Sequence, residues 1–336
     1  MSLDLNRKKV TKNAYRITKR RNYSAIRIRV PGGHLDASLI STIAAIAEKF
    51  GDGTMHITTR QGFEIPNIPF ERISEVNAAL APVIDKLQVK NGVVIETVGA
   101  GYPGAGMRNI SACIGSRVCP FANADTTALA QRLEGELFPN DFHVKIAVTG
   151  CPNDCIKAHM QDFGIISICE PVYSYDDCIG CEACVKACSR KVTGALSMRD
   201  GKVYRDERRC IGCGECVLAC PTAAWTRRPG NLYRLLIMGR TGKKNPRLAM
   251  PFLDRVSEDV VCQVIRNTIA YIDRHILRCL PKEHIGYIVD RTGLEVFKQE
   301  VLAGIAFNSG ARVAKTMQWP GYHTLNDANF KIIKES

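Results

Sequence analysis

Cysteine spacing constrains this chain more than any other feature. "CIGCEACVKAC" (178–188) and "CIGCGECVLAC" (210–220) are two copies of one pattern, offset by 32 residues. Each reads C-x2-C-x2-C-x3-C, with Cys178, Cys181, Cys184 and Cys188 in the first copy and Cys210, Cys213, Cys216 and Cys220 in the second. Upstream, "CIGSRVC" (113–119) supplies Cys113 and Cys119, and "CPNDC" (151–155) supplies Cys151 and Cys155. Twelve of the fifteen cysteines fall into these sets. The other three, Cys169, Cys262 and Cys279, are expected as free thiols packed like small hydrophobes. The start of the chain, "MSLDLNRKKV", has no apolar stretch of the export kind, so the expected compartment is the cytoplasm. Clustered cysteines there point to metal ligands rather than disulfides.

The repeated spacing is that of bacterial two-cluster ferredoxins, in which the fourth cysteine of each run ligates the other cluster. It assigns Cys178, Cys181, Cys184 and Cys220 to one [4Fe–4S] cluster. Cys210, Cys213, Cys216 and Cys188 take a second. Gly180 and Gly212 let each loop bend tightly. Ser189 stands where the pattern has Pro, whereas Pro221 follows the second run. A zinc site is the weaker alternative. Two such clusters move electrons but change no substrate, and the four upstream thiols are enough for a third cluster.

The rest of the chain reads as α+β. "AIRIRV" (25–30) puts Ile26, Ile28 and Val30 on one face and Arg27 and Arg29 on the other, as in a half-buried strand. A helix is expected over 35–50, strands over 54–59 and 62–66, a helix over 70–87 in which Pro82 is a point where a break can fall, and a strand over 93–98. That order is βαββαβ, the ferredoxin-like split βαβ, which hosts many functions. "GAGYPG" (99–104) matches GxGxxG, but Pro103 and the extra glycines favour a loop near a cofactor over a dinucleotide turn. The expected division is a βαββαβ module over 1–98, a mixed α/β domain over 99–170 and 229–336, and a two-cluster insert over 171–228.

The split C-x5-C and C-x3-C pairs resemble the cluster-binding motif of the siroheme-dependent sulfite and nitrite reductases. The resemblance covers nearly the whole chain and implies a siroheme, with Cys155 as the thiolate shared between cluster and haem iron. It further implies that Arg60 in "TTRQ", Arg108 and Lys145 in "HVKIAVTGC" hold the anion and supply protons. The family carries a second lysine on the face of Lys145; here Ala147 and His143 occupy those positions, and His143 is the candidate for the role. Arg240, Lys243 and Lys244 are candidates for the siroheme carboxylates. Asn153 and Asp154 are expected to cap a helix following Cys151. The short chain with its insert resembles the C-subunit type of anaerobic sulfite reductase. That likeness implies reduction of sulfite to sulfide, three [4Fe–4S] clusters, and electrons from NADH through ferredoxin-type and flavin-binding partner subunits. A single module also suggests a homodimer that completes the site.

Charge fits this reading. The net charge is +13, concentrated over 7–21 and 227–247. No nucleic-acid motif accompanies it, and a carboxylate-rich cofactor with an anionic substrate needs the same cations. No apolar run reaches the ~20 residues of a membrane span. Two alternatives remain at this level: nitrite reduction to ammonia at the same site, and an electron-transfer subunit without siroheme.

Overall fold

The computed structural model describes residues 14–87, 106–242, 246–277, 279 and 283–317. The first unit runs Tyr15–Ile17 (β1), Tyr23–Ile28 (β2), Ala37–Phe50 (α1), His56–Ile57 (β3), Phe63–Pro69 (β4) and Ile73–Leu87 (α2). Its sheet has the order β1-β2-β4-β3, antiparallel throughout. β4 therefore lies between β2 and β3, which is the split βαβ arrangement. In α1, Leu39, Ile43, Ile46, Ala47 and Phe50 are buried, a helical stripe that faces the sheet. Gly51 ends the helix, its N–H returning to the Ala47 carbonyl at 3.0 Å. In α2, Val76, Leu80, Val83 and Ile84 join Ile26, Ile28, Ile65 and Ile68 in one core.

Local details differ from the sequence reading. α2 runs through Pro82 without a break, because Val83 and Ile84 beyond it are buried in the core. β1 is an addition to the expected order, since it lies inside a basic run. Tyr15 anchors it, buried and donating its hydroxyl to Asn77 Oδ1 at 2.7 Å. The strand expected at 93–98, the GxGxxG stretch, Lys243 and Lys244 lie outside the described residues.

The second unit contributes Ser111–Ala112 (β5), Thr126–Leu137 (α3), Ile146–Thr149 (β6) and Phe163–Ile168 (β7). These strands are parallel neighbours. The chain then leaves the sheet as Pro171–Tyr173 (β8), Ala183–Lys191 (α4), Leu196–Arg199 (β9), Lys202–Arg205 (β10), Glu215–Ala219 (α5) and Trp225–Arg227 (β11). β11 pairs antiparallel with β8, so the excursion starts and ends at one place. The chain returns as Leu232–Ile237 (β12), antiparallel to β7. Met250–Val256 (β13), Glu258–His275 (α6), Ile285–Thr292 (α7), Leu294–Val301 (α8) and Arg312–Val313 (β14) follow. The six-stranded sheet has the order β14-β13-β12-β7-β6-β5. α3, α6, α7 and α8 bury their apolar stripes in its larger core. Among the described residues no helix is long and apolar enough to cross a membrane.

Arg29 joins the two units. Alternation continued from β2 places it on the polar face, yet it is only 3 % exposed. That face is covered here by the second unit. Its guanidinium pairs with Glu134 of α3 at 2.6 Å, donates to the Met107 carbonyl at 2.7 Å and to the Arg108 carbonyl at 3.2 Å, and stacks on Phe138. A buried charge needs such a full set of partners.

Candidate functional site

The cysteines gather in three groups. Cys151 is held above its ordinary pKa first by burial and then by its neighbours Cys155, Cys113 and Cys119. Backbone geometry brings them together: Cys113 N–H donates to the Val148 carbonyl across β5 and β6, and Gly150 N–H donates to Cys113 Sγ at 3.1 Å. Asp154 caps the turn after Cys155, accepting Ala158 N–H at 2.6 Å and bonding His159 Nδ1 at 2.7 Å. Cys155 is exposed.

In the excursion, the two cysteine runs interleave. Burial raises Cys184, whose thiol neighbour is Cys220; Cys178 is lowered chiefly by the Tyr173 hydroxyl and also feels Cys220. Cys213 is raised by burial, with Cys210 and Cys188 beside it. Cys188, Cys210, Cys213 and Cys216 line one cavity with Gly212 and Leu196. Thus each run's fourth cysteine sits with the other run, as crossed ligation requires. Among the described residues no three His, Cys, Asp or Glu side chains converge as ligands of a single ion do. The set Cys188, Cys210, Cys213 and Cys216 instead surrounds a space, and an apolar pocket walled by four thiols fits an iron–sulfur cluster.

The cations gather separately. A cavity of about 340 Å³ is lined by Arg60, Arg108, His143 and Lys145 together with Arg16, Arg27 and Arg29. Arg60 sits on the turn between β3 and β4. It donates to the Asn109 carbonyl at 2.9 Å, to Gln161 Oε1 at 2.7 Å and to the Ile146 carbonyl at 2.5 Å. These fix its plane, while burial brings its pKa down to about 10 against the pull of Asp162. Arg108 is lowered by burial and by Arg27, Arg16 and Arg29; its guanidinium reaches His143 Nδ1 at 3.4 Å. Lys145 is also lowered by burial, with Arg60, Arg108 and Arg240 adding to the effect and Asp162 opposing it. Arg240 lies beside this cluster and stacks on Tyr287 at 4.1 Å. Ala147, by contrast, faces a small apolar core with Ala158 and Leu236.

Nothing in the sequence points to Asp162. It is 1 % exposed, and its carboxylate accepts Lys145 N–H at 3.1 Å and bonds His284 Nδ1 at 2.9 Å. His284 packs edge-on against His143, with centroids 4.8 Å apart. Asp162 is thus the anchor under the cations. Its signal is three-dimensional, since it meets residues 17 and 122 positions away.

The two groups lie at opposite ends of β6. Lys145 precedes the strand and Cys151 follows it. The structure therefore unites the cations with one another and the thiols with one another, and the chain returns from the Cys155 loop to Gln161, which accepts from Arg60.

Comparison with known proteins agrees with this anatomy. Residues 103–307 match the nitrite and sulphite reductase 4Fe-4S domain, and residues 16–83 match the nitrite/sulfite reductase ferredoxin-like half domain. The chain is 45 % identical over 322 residues to the C subunit of the anaerobic sulfite reductase of Salmonella typhimurium, covering 95 % of each. It is 26 % identical over 151 residues to the chloroplastic ferredoxin–nitrite reductase of Spinacia oleracea, covering 44 % of this chain and 23 % of that one. Its fold resembles the crystal structure of dissimilatory sulfite reductase I, with TM-score 0.65 at 14 % identity, over 88 % of this chain and 73 % of that one. The chain belongs to the nitrite and sulphite reductase family.

Proposed function

We propose that this chain is the catalytic subunit of a siroheme sulfite reductase. The observation that carries the proposal is the cavity walled by Arg60, Arg108, His143 and Lys145, in a chain whose Cys113, Cys119, Cys151 and Cys155 converge. The relative similar over 95 % of both chains is named as part of a sulfite reductase, which favours sulfite over nitrite. The reaction takes sulfite, six electrons and seven protons to hydrosulfide and three waters.

Siroheme, when bound, supplies an iron that holds the sulfur and passes electrons to it. Cys113, Cys119, Cys151 and Cys155 would hold the adjoining [4Fe–4S] cluster, with Cys155 shared with the haem iron. Arg240 and Lys243 would face the siroheme carboxylates. Arg60 and Arg108 bind the sulfite oxygens through charge-assisted hydrogen bonds. Lys145 and His143 hold protons at Nζ and at the imidazole nitrogens, ready for each departing oxygen. Residues 171–228 form an inserted ferredoxin domain whose two clusters feed the site, for three clusters in all. The Salmonella relative is named as one subunit among several. That supports partner subunits, of ferredoxin and flavin/NADH-binding type, working in the cytoplasm.

This chain carries one ferredoxin-like half domain, and a second copy would supply the other half of the site. The site is therefore completed by a homodimer, with cations from one copy and Cys155 from the other. Co-expressing Arg60→Ala with Cys155→Ser tests this. Each variant alone should be inactive towards sulfite with a reduced dye as donor. Mixed dimers should regain activity at the one site with both groups intact. No recovery would sink the composite site. Unchanged turnover in Arg60→Ala alone would sink the anion-site assignment.

A further inference from the structure

The two motif copies in the excursion are not equivalent in position. We infer that the centre held by Cys188, Cys210, Cys213 and Cys216 is the immediate electron donor to the Cys113–Cys155 centre. Asn123, Gly150 and Cys169 form the joint between them. This rests on the cluster-binding reading above.

The loops touch. Gly214 lies between Cys213 and Cys216 with φ +81°, and a Cβ there would stand 3.1 Å from Asn123 Oδ1 and 3.4 Å from Cys169 Cβ. Asn123 N–H donates to the Gly150 carbonyl at 2.6 Å, and Gly150 N–H donates to Cys113 Sγ at 3.1 Å. This makes a path of bonds, hydrogen bonds and one gap, too narrow for an added Cβ to sit freely, from the Cys213 loop to Cys113 Sγ. At Gly214 the positive φ strains any side chain, and at Gly150 there is no room for one. A Cβ on Gly150 would meet Ala122 Cβ at 2.6 Å. Cys169, which the sequence suggests only as a packing thiol, is buried on the same joint, its N–H donating to the Gly212 carbonyl at 2.7 Å.

The other set faces away. Cys178 bonds Lys202 through its carbonyl, and Cys220 neighbours Thr222, both within the excursion. Cys181 is exposed, and Ile179 beside it is 69 % exposed. Electron transfer slows steeply with distance, so order in space sets order of transfer. An external one-electron donor of ferredoxin or flavin class is oxidised at the Cys178 end. Its electron passes through the Cys188 set to the Cys113 set. Six passages serve one sulfite, and no bond is made or broken in any of them.

The test uses the full chain, purified without oxygen. Iron content and siroheme absorbance of the unaltered protein come first; their absence would defeat the cluster reading itself. Electron paramagnetic resonance of the reduced protein then reads the magnetic interaction between neighbouring centres. Cys213→Ser should abolish the interaction at the Cys113–Cys155 centre, and Cys181→Ser should leave it. The opposite pattern overturns the order. Asn123→Leu keeps every ligand. It should retain the iron and reduce the excursion's clusters at the normal rate, but slow reduction of the haem centre severalfold after rapid mixing with the donor. An unchanged rate overturns the joint.

Discussion

Lys145 shows how single residues set the chemistry. Burial and three nearby cations lower its pKa, and only Asp162 works against them. A lowered lysine gives up its proton at a pH below the ordinary ~10.4. A bound anion favours the charged form. Sulfite affinity should therefore be full while Lys145 is protonated and fall as pH rises through its lowered pKa. In Lys145→Met the alkaline loss should vanish, with weaker binding throughout, as read by sulfite titration of the visible spectrum across pH. Asp162→Asn should shift the same loss to lower pH, because the carboxylate that supports the charge is gone. An unmoved profile in Asp162→Asn would show that the carboxylate does not act on the site.

Between elements, the Arg29–Glu134 pair ties the end of β2 to α3 and holds the Arg108 backbone. Glu134→Gln leaves a buried guanidinium without its counter-charge, which should cost about 3–5 kcal/mol and lower the melting temperature. Arg108 should lose its placement too, raising the KM for sulfite more than an exposed change such as Glu295→Gln. An unchanged melting temperature would contradict this account. The same pair marks what the sequence can and cannot tell. Local signals are readable in it: the stripe of α1, its stop at Gly51, the turn carrying Arg60, and the pairing of cysteine runs. Arg29 is misplaced by such reading because alternation reports one strand's two faces and not what covers them. Asp162, His284 and Gln161 carry no local signal, since each acts through a partner on another element. β1 is hidden in a basic run and shows only through the buried Tyr15.

At the scale of the molecule, the two sheet units carry their own large apolar cores, whereas the excursion does not. Its core is built largely from the cysteine runs, with Cys184, Cys188 and Cys216 packed against Leu196, Val203 and Trp225. With clusters bound as proposed, metal binding there would be folding free energy. Intact protein should contain about thirteen irons, from three [4Fe–4S] clusters and one haem. Stripping the iron with chelator under oxygen should raise hydrogen exchange over 171–228 sharply while β6, β7 and β12 stay protected. Equal protection before and after would show that the excursion stands without metal. The interleaved thiols also bear on how the protein is made. Because Cys220 sits with Cys178 and Cys184, and Cys188 with Cys210 and Cys213, neither copy is a finished receptacle alone. A nascent chain that has emerged only as far as residue 200 offers three thiols of one centre and one of the next. With the clusters held as proposed, iron delivery would wait for synthesis to pass residue 220, and both centres would then mature together rather than in turn.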